Sequence, residues 1–409
     1  MSVRRPSTLH PLHPLPASAV PSMPRRQALR TLAALGLAGS AGALLPLASA
    51  WALPPKAMAF PRDFGSHPDL GTEWWYITGH VQAGGRPWGF QLTFFRSRVE
   101  GTQGLRSAFA AQQLLFAHVA LCDVQGKRLL HDQRMARAGL GLAEAATDDT
   151  AVHIQDWRLT RQAVPGLSAD QASRYRAQLQ AADFALDLDL TTTQPVLLQG
   201  SAGLSRKGPQ PDQASYYYSQ PQLAVSGAIT VRGQRLVIDP PSPNAPAALH
   251  NRAWLDHECS TALMHPEAEG WDWIGMNLAD GSALTAFHLR RRDGSALWAG
   301  GSLRAPGASP RVFGPQDVHF TPLAWWTSPA THTRYPVRWR VDTPSAQYVV
   351  RAQVAAQELD SRATTGAVYW EGLSDLLQLP PGGDALSDSL PLVGRGYLEM
   401  TGYASRLKM

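Results

Sequence analysis

Cysteine is almost missing from this 409-residue chain, which holds only Cys122 and Cys259. Two thiols cannot build a disulfide framework, so burial must hold the fold. One bridge is possible, but two isolated buried thiols are the favoured expectation, since free cysteine packs as a small hydrophobe. Other absences narrow the chemistry. There is no G-x-S-x-G elbow, no P-loop and no strand–helix dinucleotide fingerprint, which argues against serine esterase, nucleotide and nicotinamide roles. No H-x-H, HExxH or CxxC spacing occurs, and no metal and no cofactor are expected. Beyond residue 50 no stretch reaches the ~20 apolar residues of a membrane helix, so no transmembrane span is expected there.

Acidic residues are absent from residues 1–50, which carry Arg4, Arg5, Arg25, Arg26 and Arg30. Without these five the basic count falls from 37 to 32, equal to the acidic count. The excess charge therefore belongs to the N-terminal segment, and no basic patch argues for nucleic acid, whose phosphates need one. Arg25-Arg26-Gln27-Ala28-Leu29-Arg30 reads as a twin-arginine region. An Ala/Gly/Leu-rich stretch from Thr31 to Leu47 and the small residues Ala48-Ser49-Ala50 follow, so export with cleavage after Ala50 is expected. An ordinary secretory leader is the other reading. Both place the mature chain in the periplasm, and translation starts at Met1 or Met23.

Helical periodicity is scarce, and what remains is β. Phe184, Leu186, Leu188 and Leu190 alternate with Ala185, Asp187 and Asp189, a period-2 strand. Gly89–Arg96 and Leu115–Leu121 read as further strands. Asp280-Gly281 and Asp293-Gly294 mark hairpins between alternating runs. Leu105 to Leu115 and Leu373 to Leu377 read as short helices or loops. Many short antiparallel strands without intervening helices mean sandwiches or barrels. Four prolines between Asp239 and Pro246 cannot sit in a central strand. The expected division is a leader over 1–50, a first β-domain over 51–245 and a second over 246–409.

Candidate functional residues cluster in a few strands. Glu73-Trp74-Trp75-Tyr76 places an acid on the same face as Trp75. Either Glu73 is raised toward acid–base duty by a low-dielectric barrel interior, or it accepts hydrogen bonds and supports structure. Trp254-Leu255-Asp256-His257-Glu258 is the densest run of ionisable groups, and its Asp-His pair is a candidate acid–base element. His118 lies inside an apolar strand. Ser215-Tyr216-Tyr217-Tyr218-Ser219 offers hydroxyl-tipped rings suited to a cavity that is apolar in body. Glu399, in Gly396–Tyr403, again sets a carboxylate in an aromatic strand.

These segments, taken in order from His67 to Tyr403, resemble the AttH-like, carotenoid 1,2-hydratase-related proteins. The resemblance implies an all-β chain of two lipocalin-like antiparallel β-barrels in tandem. It implies a hydrophobic small-molecule partner, isoprenoid or lipid-like, and cofactor-free hydratase or lyase chemistry in which an acid protonates an alkene. Exported relatives of this kind accompany ABC-transporter permease components, so a non-catalytic periplasmic carrier or accessory subunit is the alternative. The sequence departs from the hydratase branch at His257-Glu258-Cys259, where His-x-Trp is usual. It departs again at Phe287-His288-Leu289, where a Tyr and an Asp are missing, and only His257 carries over. His257, Asp256 and Glu73 are the expected catalytic groups, with Trp75, His118, Tyr217, Trp254 and Glu399 lining the ligand.

Overall fold

The computed structural model describes residues 53–241, 249–261 and 264–406. The leader, its cleavage site, the alternative start and most of the proline run lie outside the described residues. Among the described residues the chain is almost entirely β, with two short 3-10 turns, and it folds as two lipocalin-like antiparallel sheets in tandem. No helix among them is long and apolar enough to cross a membrane.

The first sheet has 14 strands. At its centre Thr72–Ala83, the opening strand, lies between Arg86–Arg98 and Arg252–Ser260. On its other side Arg252–Ser260 pairs with Ala214–Val231. The second sheet has 10 strands and the same local order. Its closing strand, Leu392–Met400, lies between Gly270–Leu278 and Ala367–Leu379. The change of sheet thus falls between Ser260 and Gly270, beyond the proline run. Arg252–Ser260 is buried end to end except for Arg252, and such a strand needs a neighbour on each side. The strands Thr72–Ala83 and Ala214–Val231 supply them.

The expected hairpins are present. Asp280-Gly281 joins Gly270–Leu278 to Ala283–Arg290, and Gly281 takes a positive φ of 86°, as a tight hairpin turn requires. The Leu373–Leu377 segment is a correction. It lies within the strand Ala367–Leu379, which is buried on both faces, and two-sided burial erases the alternation that marks a strand. Leu105 to Gln112 is turn and coil, leading into the strand Gln113–Asp123.

Alternation along the strands creates three apolar layers. Trp75, Ile77, Val81, Ala253 and Leu255 face into the first sheet's own core. Ile274, Trp339, Trp370 and Leu398 fill the second. Tyr76, Trp254, Trp273, Leu373 and Tyr397 form a third cluster, the seam where the two sheets meet. The seam is tight at Gly89, where an added Cβ would stand 2.8 Å from the Tyr397 hydroxyl. Cys122 and Cys259 are both buried and unbridged.

Candidate functional site

The strand Arg252–Ser260 sorts the expected catalytic residues into two places. Its side chains alternate, so His257 points into the first barrel's core while Asp256 points into the seam. Glu73 and Trp75 share the inner side with His257. Tyr217, Trp254 and Glu399 share the seam side with Asp256, and His118 also lies on the seam. The expected trio His257, Asp256 and Glu73 therefore does not converge as one unit.

On the inner side, Glu73 is fully buried and saturated with donors. Its Oε1 lies 2.9 Å from His257 Nε2 and 2.7 Å from His67 Nδ1. Its Oε2 accepts from Arg96 Nε at 2.9 Å, Ser66 Oγ at 3.0 Å and the His67 amide at 2.9 Å. Burial pushes this carboxyl up, but the hydrogen bonds from His257 and His67 outweigh it and hold the group well below the usual range. Glu73 follows the second of its two expected readings and is ionised. His67 is gripped from its other side by Asp63, at 2.8 Å from Nε2. Burial works against its charge, yet the hydrogen bonds led by Asp63 raise it to about 11. His257 stacks on Trp75 with centroids 4.7 Å apart and sets Nδ1 3.0 Å from the Tyr218 hydroxyl. Burial lowers it, so this imidazole is neutral.

A crevice of about 10 Å³, room for roughly one water, opens between Lys56, His67, Tyr218, His257 and Cys259. His67, Glu73 and His257 each present a ligand atom, all within 4.8 Å of one another, so the trio could hold a metal ion. The donors are already engaged, however. Arg96 occupies the second carboxylate oxygen, and His67 carries its proton between two acids. The arrangement is complete as an ion-pair network.

The seam side has the opposite character. Asp256 accepts from Trp254 Nε1 at 2.6 Å and Ser219 Oγ at 2.5 Å on one oxygen, and from the Tyr217 hydroxyl at 2.7 Å on the other. Burial dominates all three donors and lifts the acid to about 7. Across the seam, Glu399 stands directly opposite Glu371 on the neighbouring strand. Burial raises Glu399 to about 7 against a hydrogen bond from Trp271, with Asp256 and Glu258 adding repulsion. Burial and then Glu399 raise Glu371 well above the carboxylate range. Glu371 Oε1 and the nearby Tyr76 hydroxyl find no well-aligned hydrogen-bond partner among the described residues. Glu258 is covered by Lys207, whose Nζ sits 2.9 Å away and over the rings of Tyr217 and Phe287.

His118 bridges the seam at a separate point. Its Nδ1 lies 2.8 Å from the Tyr369 hydroxyl and its Nε2 3.1 Å from Thr364 Oγ1. Burial depresses it to about 4, so the imidazole is neutral.

Glu371 and Arg395 are seam residues that the sequence reading did not single out. One signal was available. Arg252-x-Trp254-x-Asp256 and Arg395-x-Tyr397-x-Glu399 repeat the same pattern, and each lies on an interior strand of its own sheet.

Solved structures with the same architecture are known. A candidate AttH from Nitrosomonas europaea is 42% identical, covers 86% of this chain and 99% of its own, and superposes with a TM-score of 0.73. Kievitone hydratase from Nectria haematococca is 14% identical, covers 85% and 94% respectively, and has a TM-score of 0.62. That likeness is one of fold. No functionally curated protein matches the chain. The sequence profile of the AttH-like family matches residues 51–403, and the chain is a member of that family.

Proposed function

We propose that the protein is exported to the periplasm by its twin-arginine leader and takes an apolar small molecule into the seam between its sheets. There it moves a proton without a cofactor, the chemistry of a hydro-lyase. The observation that carries this reading is the Glu371–Glu399 pair, two carboxyls opposed on adjacent strands and walled by Tyr76, Trp273 and Tyr397. Two acids so placed cannot both ionise readily, and the pair retains a proton near neutral pH. The protonated member can give that proton to an alkene carbon. The aromatic faces steady the cation that results. Water then adds to the cation and returns a proton to the carboxylate, which closes the balance. Kievitone hydratase shares the fold and is by name a catalyst of water addition. Asp256, near neutral charge and held by three donors, stands as a second acid. Glu73 and His257 are assigned to positioning, because they hold the strand that carries Asp256.

The test begins with native mass spectrometry of the protein purified from its own cells, to identify the molecule it carries. Turnover of that molecule is then measured. Glu399→Gln should slow it by at least ~10²-fold, the usual contribution of a general acid, with thermal stability retained. Full turnover in both Glu399→Gln and Glu371→Gln would sink the assignment. Recovery of the molecule unchanged from the wild-type protein would instead make the chain a carrier.

A further inference from the structure

The seam is charged at both ends. Opposite the acid pair, a groove of about 580 Å³ is lined by Gln82, Pro87, Arg351, Gln353, Asp375 and Arg395 among others. Its cations outnumber its anions. Asp375 alone serves Arg395 at 3.0 Å, Arg351 at 3.5 Å and the Gln353 amide at 2.7 Å. Arg351 has one further acid, the exposed Asp388, at 3.5 Å. Asp123, on the strand Gln113–Asp123 beside the groove, is already taken by Arg86 in a two-oxygen contact at 2.8 and 2.9 Å.

Arg252 sits deeper at this end, paired in register with His80. It is partly buried and makes no ion pair among the described residues, and its Nε has no hydrogen-bond partner. A guanidinium withdrawn from water without a counter-ion is unfavourable. His80 reports the same field. Burial first, then Arg395 and Arg252, depress it to about 3. The region is short of an anion.

We infer that this groove binds the anionic oxyacid head, carboxylate or phosphate, of an amphiphile whose apolar body lies along the aromatic middle of the seam. The order of residues supports that orientation. Arg395, Tyr397 and Glu399 follow one another on the seam face of one strand, and Arg252, Trp254 and Asp256 on that of the other. Basic and acidic ends are about 13 Å apart along each strand. A head held by Arg395 and Arg351 would set an apolar chain of that length against the Glu371–Glu399 pair. The inference builds on the proposed seam chemistry by naming the substrate class.

Isothermal titration calorimetry on the full-length protein tests it, with decanoate, decyl phosphate and decanol as probes below their aggregation limits. Decanoate and decyl phosphate should bind at least tenfold more tightly than decanol, and their ratio identifies which head is preferred. Arg351→Gln and Arg395→Gln should each weaken the two anions severalfold while leaving decanol unchanged. Asp375→Asn, which removes the internal competitor, should tighten them. Binding of decanol as strong as that of decanoate overturns the inference, as does unaltered anion binding in both arginine variants, or no binding of any probe. Arg351 is partly exposed, so its variant is safe for folding if Arg395→Gln is not. Glu399→Gln should keep decanoate affinity. If that variant loses turnover and retains binding, the acid and the head-group site are separated, and either can fail alone.

Discussion

Asp256 and His257 are sequence neighbours, and they live in opposite electrostatic worlds. On the inner side, anions meet cations: Glu73 and Asp63 are ionised because His67, Arg96 and Lys56 stand within 3.0 Å of them. On the seam side, acids meet acids and rings. Asp256, Glu371 and Glu399 are raised because burial is not offset by enough positive charge. Glu73 and Asp256 are both buried, so depth alone does not set the state of a carboxyl. Partners do. A saturated ion-pair network is suited to holding structure, and a set of acids kept near neutrality is suited to proton transfer.

The contrast can be broken most directly by amide substitution on each side. Glu73→Gln would leave Arg96 and the charged His67 buried without their anion. It should lower stability by roughly 3–5 kcal/mol, the range for breaking a buried pair, in urea unfolding at pH 7. Glu399→Gln replaces an acid whose charge is disfavoured by burial, and at pH 7 it should leave stability unchanged or raise it. Equal losses would erase the distinction.

The pH dependence should separate the carboxyls of the two sides by sign. A carboxyl raised on folding binds more protons in the folded state, so its contribution is lost as pH rises from the unfolded value through the folded one. For Asp256 and Glu399 that window runs from about 4 to about 7, and the combined loss should be of the order of a few kcal/mol. Glu73 is depressed, so its contribution is present above its unfolded value and is lost on acidification. The histidines titrate on top of this: His80, His118 and His257 are lowered and add stability as pH rises toward 6.5, whereas the raised His67 loses it above that, so the seam acids are read from the difference between the wild type and a variant that lacks them. Relative to the wild type, the double variant Asp256→Asn, Glu399→Gln should gain stability as pH rises from about 4 to about 7 and should leave the acid limb of Glu73 in place. A difference between the wild type and that variant that stays flat from pH 4 to 7 would remove the case for uncompensated seam acids.

The smallest expected effect is at His118, where seam contact is structural. In a double-mutant cycle of His118→Gln with Tyr369→Phe, the coupling should be about 1 kcal/mol, that of one buried hydrogen bond. No coupling would mean that the bridge does not tie the sheets together.

The sequence displayed much of this fold openly. Period-2 runs such as Phe184–Leu190 and the Asp-Gly turns mark half-buried hairpins, whose two faces differ in polarity. Strands buried on both faces were harder. In Ala367–Leu379 the apolar residues fall on both sides and blur the alternation over Leu373–Leu377, the half that follows Glu371. Asp256 and His257 were legible as a cluster, and alternation alone says that they face opposite ways. What it does not say is which face looks into a barrel and which onto a second sheet. That depends on pairings across nearly two hundred residues, such as Trp75 with His257. The basic groove was hidden for the same reason, since its arginines come from strands far apart in the chain.

The late position of Arg252–Ser260 bears on how the molecule is made. Its neighbours, Thr72–Ala83 and Ala214–Val231, are complete well before it in synthesis, and each must wait with one edge unpaired. A chain stopped at the proline run would hold every residue of the nominal first half and still present two open sheet edges, the usual templates for aggregation. The halves are thus interlocked in time as well as in space: the first sheet is not finished until the chain has passed into the second.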